Sequence, residues 1–145
     1  MNDAGFEFLD HTADVQVKSW GKNFEEATAQ MALALSATIS PNLKLIEPKI
    51  EKIIEISAED KESLLFDFLS ELLFIFDVEQ IVFSDVKIVN FKKENASYYL
   101  KAILKGERFN LNKHEYGTEI KAITYSFMEI NESDDKVEII MIFDI

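Results

Sequence analysis

The sequence predicts an α+β fold, a mixed or antiparallel sheet with two helices packed on it in the order ββαβαββββ. Three observations point there. Two stretches carry apolar residues at helical spacing, strand-like runs flank them, and the last third of the chain reads mostly as strands. No linker, repeat or low-complexity segment interrupts the 145 residues, and a chain with only four Gly and two Pro suits one domain over 1–145.

Phe6 to Leu9 is a short first strand. Val15-Gln-Val-Lys-Ser-Trp20 alternates apolar and polar residues, as a half-buried strand does, and Gly21 breaks it. Asn23 is placed as an N-cap, with Glu26 three residues on completing a variant of the capping box. From Phe24, Ala27, Met31, Leu35 and Ile39 recur at helical spacing down to Ser40-Pro41. Ile50 to Ile56 is a β-branched run, hence a strand.

Asp60 can cap a second helix, in which Leu64, Leu65, Phe68, Leu69, Leu72, Phe74 and their neighbours cover nearly all sides. Asp67, Ser70, Glu71 and Asp77 are its polar stripe. A helix apolar on most sides must be covered on most sides, so this one is expected at the centre of the core. Four strands follow, at Ile81 to Phe91, Ser97 to Lys105, about Glu119 to Asn131, and Lys136 to Asp144. Turns fall at Lys92 to Asn95 and at Asn131 to Asp135. The last strand holds one charge between Val137 and Phe143 and lacks strict alternation, which suits an interior strand.

Composition narrows the function. With 27 acidic and 15 basic side chains the formal charge is −12, which argues against direct nucleic-acid binding. Zero Cys removes disulfides, thiolate metal sites and cysteine nucleophiles. No basic segment followed by an apolar run opens the chain, and Leu72 to Phe76 is too short to span a bilayer. A cytoplasmic protein with no membrane partner is expected. Residues 51–79 hold nine acids against two lysines, whereas residues 87–121 hold eight bases against four acids. Solvated faces account for most such charge; the functional alternative is an acidic face steering the molecule to a basic partner.

No Gly-rich phosphate loop, Gly-x-Ser-x-Gly turn or His-Glu-x-x-His pair is present. His11 and His114 are the only imidazoles, and neither comes with a supporting serine context. Oxygen chemistry is better represented. Asp10 and Asp14 bracket His-Thr-Ala in the bend between the first two strands, Asp144 is penultimate, and Ile145 adds a main-chain carboxylate. Such hard donors suit Ca²⁺, Mg²⁺ or Mn²⁺. On spacing alone the bland alternatives stand beside this one: Asp14 capping a turn, Asp144 ending the chain in water.

Phe6 to Asp14 (Phe-Glu-Phe-Leu-Asp-His-Thr-Ala-Asp), Trp20-Gly21-Lys22, and Glu25-Glu26-Ala27 together resemble the opening of the archease family. The resemblance continues at Leu64-Leu65, Phe68 to Leu73, Gly106-Glu107, Lys113-His114 and Glu119 to Tyr125, and it closes at Phe143-Asp144-Ile145. It departs at Phe68, where the family often carries tryptophan, and at Asn110-Leu-Asn112, where the family often has Asp. The resemblance implies an α+β fold and a non-catalytic accessory role in tRNA splicing. The implied partner is an RtcB-type RNA ligase using GTP and Mn²⁺, whose guanylylation and multiple turnover the accessory protein promotes; tRNA is met only through the ligase. It also implies a divalent-cation site at Asp14, Asp144 and the main-chain carboxylate of Ile145, with Ca²⁺ the first expectation and Mg²⁺ or Mn²⁺ the others. His11 and Lys121 are supporting candidates. The rival expectations are an acidic, chaperone-like binding module without metal chemistry and, less favoured by the ligand count, a metal-dependent phosphohydrolase.

Overall fold

In the computed structural model, which describes residues 3–9 and 13–145, these periodicities resolve into eight strands and two helices. β1 (Gly5–Leu9), β2 (Val15–Gly21), α1 (Phe24–Ile39) and β3 (Ile50–Ala58) come first, with a 3-10 turn at Leu43–Leu45. α2 (Lys61–Glu79), β4 (Ile81–Glu94), β5 (Ser97–Arg108), β6 (Ala122–Ile123), β7 (Glu129–Glu132) and β8 (Val137–Asp144) follow. The strands divide between two antiparallel sheets, one ordered β1-β2-β8-β6 with β7 also on β8, the other β3-β5-β4. The α+β class, the two helices and the interior place of the last strand are as the sequence predicts.

Local chemistry sets the helix ends. Asn23 Oδ1 accepts the Glu26 amide at 2.9 Å, and the Glu26 carboxylate accepts the Lys22 amide at 2.9 Å, so two otherwise orphaned donors are satisfied. Asp60 accepts the Ser63 amide at 2.7 Å at the start of α2. At its other end Gln80 turns left-handed (φ 60°) and returns its backbone amide to the Phe76 carbonyl at 2.8 Å. α1 packs on β2 and β4, α2 on β3, β5 and β6, so each helix lies against both sheets. Met31, Leu35, Leu64, Leu65, Phe68, Leu100, Leu104 and Ile139 close one core between them. α2 is less covered than expected: Phe74 and Val78 are exposed, because both continue the stripe of Asp67 and Glu71 at helical spacing.

The two sheets are also joined by one cation. Lys61 Nζ lies 5.4 Å from the Phe24 ring, 5.8 Å from Tyr98 and 5.9 Å from Phe91, and pairs with Glu132 at 2.5 Å. The first turn of α1, the β4–β5 hairpin and β7 therefore meet on a single side chain.

The strand expected over 119–131 is two strands instead. β6 and β7 lie on the same edge of β8, and the chain bulges away between them. There the Thr124 hydroxyl donates to the Ile142 carbonyl at 2.9 Å, occupying an acceptor that a continuous ladder would use. The bulge turns through Phe127 at φ 53°, a left-handed conformation that costs a β-carbon residue energy.

Residues 109–121 form a strap without regular structure except the start of β6 beyond it. It is tied down along its length. The Phe109 amide donates to the Gln80 carbonyl at 2.6 Å, the Ser40 hydroxyl to the Glu115 carbonyl at 2.7 Å, and the Gly117 and Thr118 amides to the Ile39 and Thr38 carbonyls at 2.8 and 2.9 Å. Gly117 is required for this approach, since a β-carbon would sit 2.4 Å from the Thr38 carbonyl oxygen. Where the strap leaves β5, the buried Glu107 carboxylate accepts from the Glu47 amide (2.9 Å), Lys113 Nζ (2.8 Å) and the ring of buried His114 (2.8 Å). Burial pushes that carboxyl up, but these three hydrogen bonds outweigh it and hold the pKa down at about 2.

Two outcomes follow from this packing. At Gly106 a β-carbon would lie 1.8 Å from the Val82 carbonyl oxygen, so Gly106→Ala must push β4 from β5; denaturant unfolding should show a loss of about 1–3 kcal/mol. Glu107 has a lower pKa folded than unfolded, so its stabilisation is complete above pH 4.5 and is lost as pH falls towards about 2. Glu107→Gln should remove that acid limb, worth about 3 kcal/mol, when unfolding is followed across this pH range.

Candidate functional site

β8 is paired along both edges, with β2 on one side and β6 and β7 on the other. The β2–β8 register ends at Val15 opposite Phe143. Asp14 immediately precedes this last pair, in a bend outside the ladder, and Asp144 immediately follows it on β8. On the other edge Asp144 pairs with Ala122, and the Lys121 amide donates to the Asp144 carbonyl at 2.7 Å. The Asp144 main chain is thus held at the sheet end, with Asp14 on one flank and Lys121 on the other. Asp14 and Asp144 are both half-buried, and Ile145 follows, 36% exposed.

Four of the residues singled out in the sequence therefore share one end of one sheet: Asp14, Asp144, Ile145 and Lys121. His11 and Asp10 lie outside the described residues. Among the described residues no three His, Cys, Asp or Glu side chains converge for a metal ion. The set expected here is a different one, two aspartate side chains and a main-chain carboxylate, all hard oxygen donors. Two carboxylates close to each other repel, and a divalent cation between them relieves that repulsion.

The Lys121 side chain is exposed and lines a cleft of about 1040 Å³ at the C-terminal end of α2. Phe76, Phe109 and Tyr116 form its aromatic wall, with Phe109 edge-on to both others at 6.1 and 5.9 Å. Arg108, also on this wall, donates to the Glu79 carbonyl at 3.2 Å, which leaves the C-terminal turn of α2 better satisfied. Beside β8, the bulge projects Tyr125 (51% exposed) and Phe127 (74% exposed), and Tyr125 stacks on Phe66 of α2 at 4.3 Å.

Two parts of these surroundings are not readable from residue spacing. Glu107 and His114 become partners only through the turn at Asn110 to Lys113, and no periodic element connects them. The exposed aromatic pair belongs to a stretch that reads as strand, and the left-handed Phe127 gives no residue-type signal in the way Gly or Asn would.

Comparison with known proteins finds similarity along nearly the whole chain. The profile of the Archease protein family matches residues 6–145. The archease-like protein of Dictyostelium discoideum is 45% identical over 142 residues, 97% of this chain and 93% of that protein. The archease of Pyrococcus furiosus is 43% identical over 130 residues, 90% of each chain. The solution structure of protein 1598 from Methanobacterium thermoautotrophicum superposes with a TM-score of 0.84 at 37% identity, covering 97% of this chain and 99% of that one. A family profile that fits from β1 to the last residue, on a fold shared with a solved relative, shows that this chain belongs to the archease family.

Proposed function

We propose that this archease is an accessory protein that activates an RtcB-type RNA ligase in tRNA splicing, using a divalent cation held by Asp14, Asp144 and the main-chain carboxylate of Ile145. The observation that carries the reading is the β2–β8 register, whose last pair, Val15 with Phe143, is flanked in sequence by Asp14 on one strand and by Asp144 and Ile145 on the other. A cation bound there supplies local positive charge and open coordination positions at a sheet end. Strand pairing on both edges of β8 limits the entropy lost when the ligands are fixed. Ca²⁺ is the expected ion in a calcium-containing medium, and Mg²⁺ and Mn²⁺ meet the same donors.

In this reading the protein itself catalyses nothing. It brings an acidic sheet end and its cation to the ligase, promotes guanylylation and turnover there, and meets tRNA only through the ligase. A net charge of −12 favours docking on a basic RNA enzyme over contact with RNA itself. No helix among the described residues is long and apolar enough to cross a membrane, and the proposed setting is the cytoplasm. A second reading, a protein-binding module without metal chemistry, is favoured by the exposed Tyr125 and Phe127 at the bulge.

Asp14→Asn and Asp144→Asn keep size and shape while removing charge. Each is expected to weaken Mn²⁺ or Ca²⁺ binding at least tenfold by calorimetry and to abolish stimulation of multiple-turnover ligation by the cognate ligase. Full stimulation by both folded variants would remove the cation from the mechanism and favour the second reading. A Gly-Ser extension after Ile145 displaces the main-chain carboxylate without touching any side chain. Metal affinity should fall here too, and equal affinity would show that Ile145 is not a ligand.

A further inference from the structure

Two buried groups, Glu107 at the end of β5 and His114 in the strap, have no part in the cation site as proposed. His114 has a fully buried side chain and uses both ring nitrogens. Nδ1 accepts the Asn110 amide at 2.9 Å, which places the ring proton on Nε2, and Nε2 donates to Glu107 at 2.8 Å. The His114 amide returns to the Asn110 carbonyl at 2.7 Å. Glu107 in turn accepts Lys113 Nζ, which also pairs with Glu47, and Lys49 Nζ stands 3.7 Å away. The Lys49 amide donates to the Gly106 carbonyl at 2.9 Å. One imidazole and one carboxylate thus join the start of the strap, the end of β5 and the segment before β3.

Seven residues further on, the same strap delivers the Lys121 amide to the Asp144 carbonyl. Between the two points there is no helix or strand to transmit position, only the bonds to the C-terminal end of α1 at Thr38, Ile39 and Ser40 and the buried side chain of Ile120. A segment held by a few hydrogen bonds opens locally unless its anchors are strong. The buried, charge-assisted bonds at Glu107 are the strongest of the set.

We propose that Glu107 and His114 are positioning residues for the carboxylate site: they lock the 109–121 strap so that Lys121 clamps the Asp144 main chain beside Asp14. This rests on the cation reading for its functional meaning, but the clamp itself is defined without metal. When the lock is broken, the Lys121 amide leaves Asp144, β6 frays from the end of β8, and Asp144 loses its fixed relation to β2. The partners of a ligand are then disordered while the ligand itself is intact.

The test is amide hydrogen exchange on the metal-free protein, resolved at single residues. In His114→Ala the Gly117, Thr118 and Lys121 amides are expected to exchange at least tenfold faster. The amides of Val17, Ser19 and Met141 in the β2–β8 ladder should keep their wild-type rates. His114→Gln, whose amide nitrogen can still donate to Glu107, should recover most of the Lys121 protection. Glu107→Gln provides the same comparison should His114→Ala fail to fold. Calorimetry on the same variants should show Mn²⁺ or Ca²⁺ affinity reduced about tenfold. Wild-type protection of Lys121 in a folded variant would overturn the proposal, as would exchange that rises equally in the β2–β8 ladder. Unchanged metal affinity with a loosened strap would also overturn it. Should the wild-type protein bind neither ion, the cation reading fails on its own, and the exchange rates still decide the clamp.

Discussion

The pairing of β8 on both edges is the constraint on which the rest depends. A strand bonded on one side can slide or fray at its end, and its last side chains then sample many positions. β8 cannot, because β2 fixes its register over seven residue pairs while β6 and β7 close the opposite edge. The same pairing lays Val137, Ile139, Met141 and Phe143 on the core side, where all four are buried. A slip by one residue would turn these four towards solvent and set Asp144 at a different level from Asp14. Core packing therefore fixes the level at which Asp144 leaves the sheet relative to Val15 at the start of β2.

Much of this was legible in the sequence. The caps at Asn23 and Asp60, both helices, the strand from Val15 and the interior character of the last strand all follow from periodicity and residue type. What periodicity does not carry is which strands share a sheet, and here two sheets divide them. The bulge at Thr124 to Met128 was hidden because its residues are β-formers; a hydroxyl taking one carbonyl from the ladder is enough to eject them. The strap was hidden for the opposite reason, having no period at all. Its order comes from long-range bonds such as Ser40 to Glu115, which no local rule contains.

For the candidate site, residue type singled out Asp14 and Asp144 as oxygen donors, and family resemblance gave them a common role. The sheet register adds the alignment of the two strand ends. The acidity of the chain also becomes more specific. Some of it is internally matched, as at Lys52 with Glu79 and at Lys18 and Lys136 with Glu138, whose carboxyl these two lysines hold below its ordinary range. The buried Glu107 serves the architecture. The acids at the end of β8 stand at a sheet rim beside an aromatic cleft and an exposed aromatic bulge, a setting suited to contact with another molecule.

Of the two interior strands of the larger sheet, β8 follows every other strand in sequence. Val15 meets Phe143 across nearly the full length of the chain, and β8 must enter between strands that precede it in sequence. On a translating ribosome, the first two strands and α1 wait for that insertion, while the β3-β5-β4 sheet can already pair. Completion of the larger sheet and assembly of the acidic rim become one event, so a chain stopped before Val137 would lack β8 and Asp144 together.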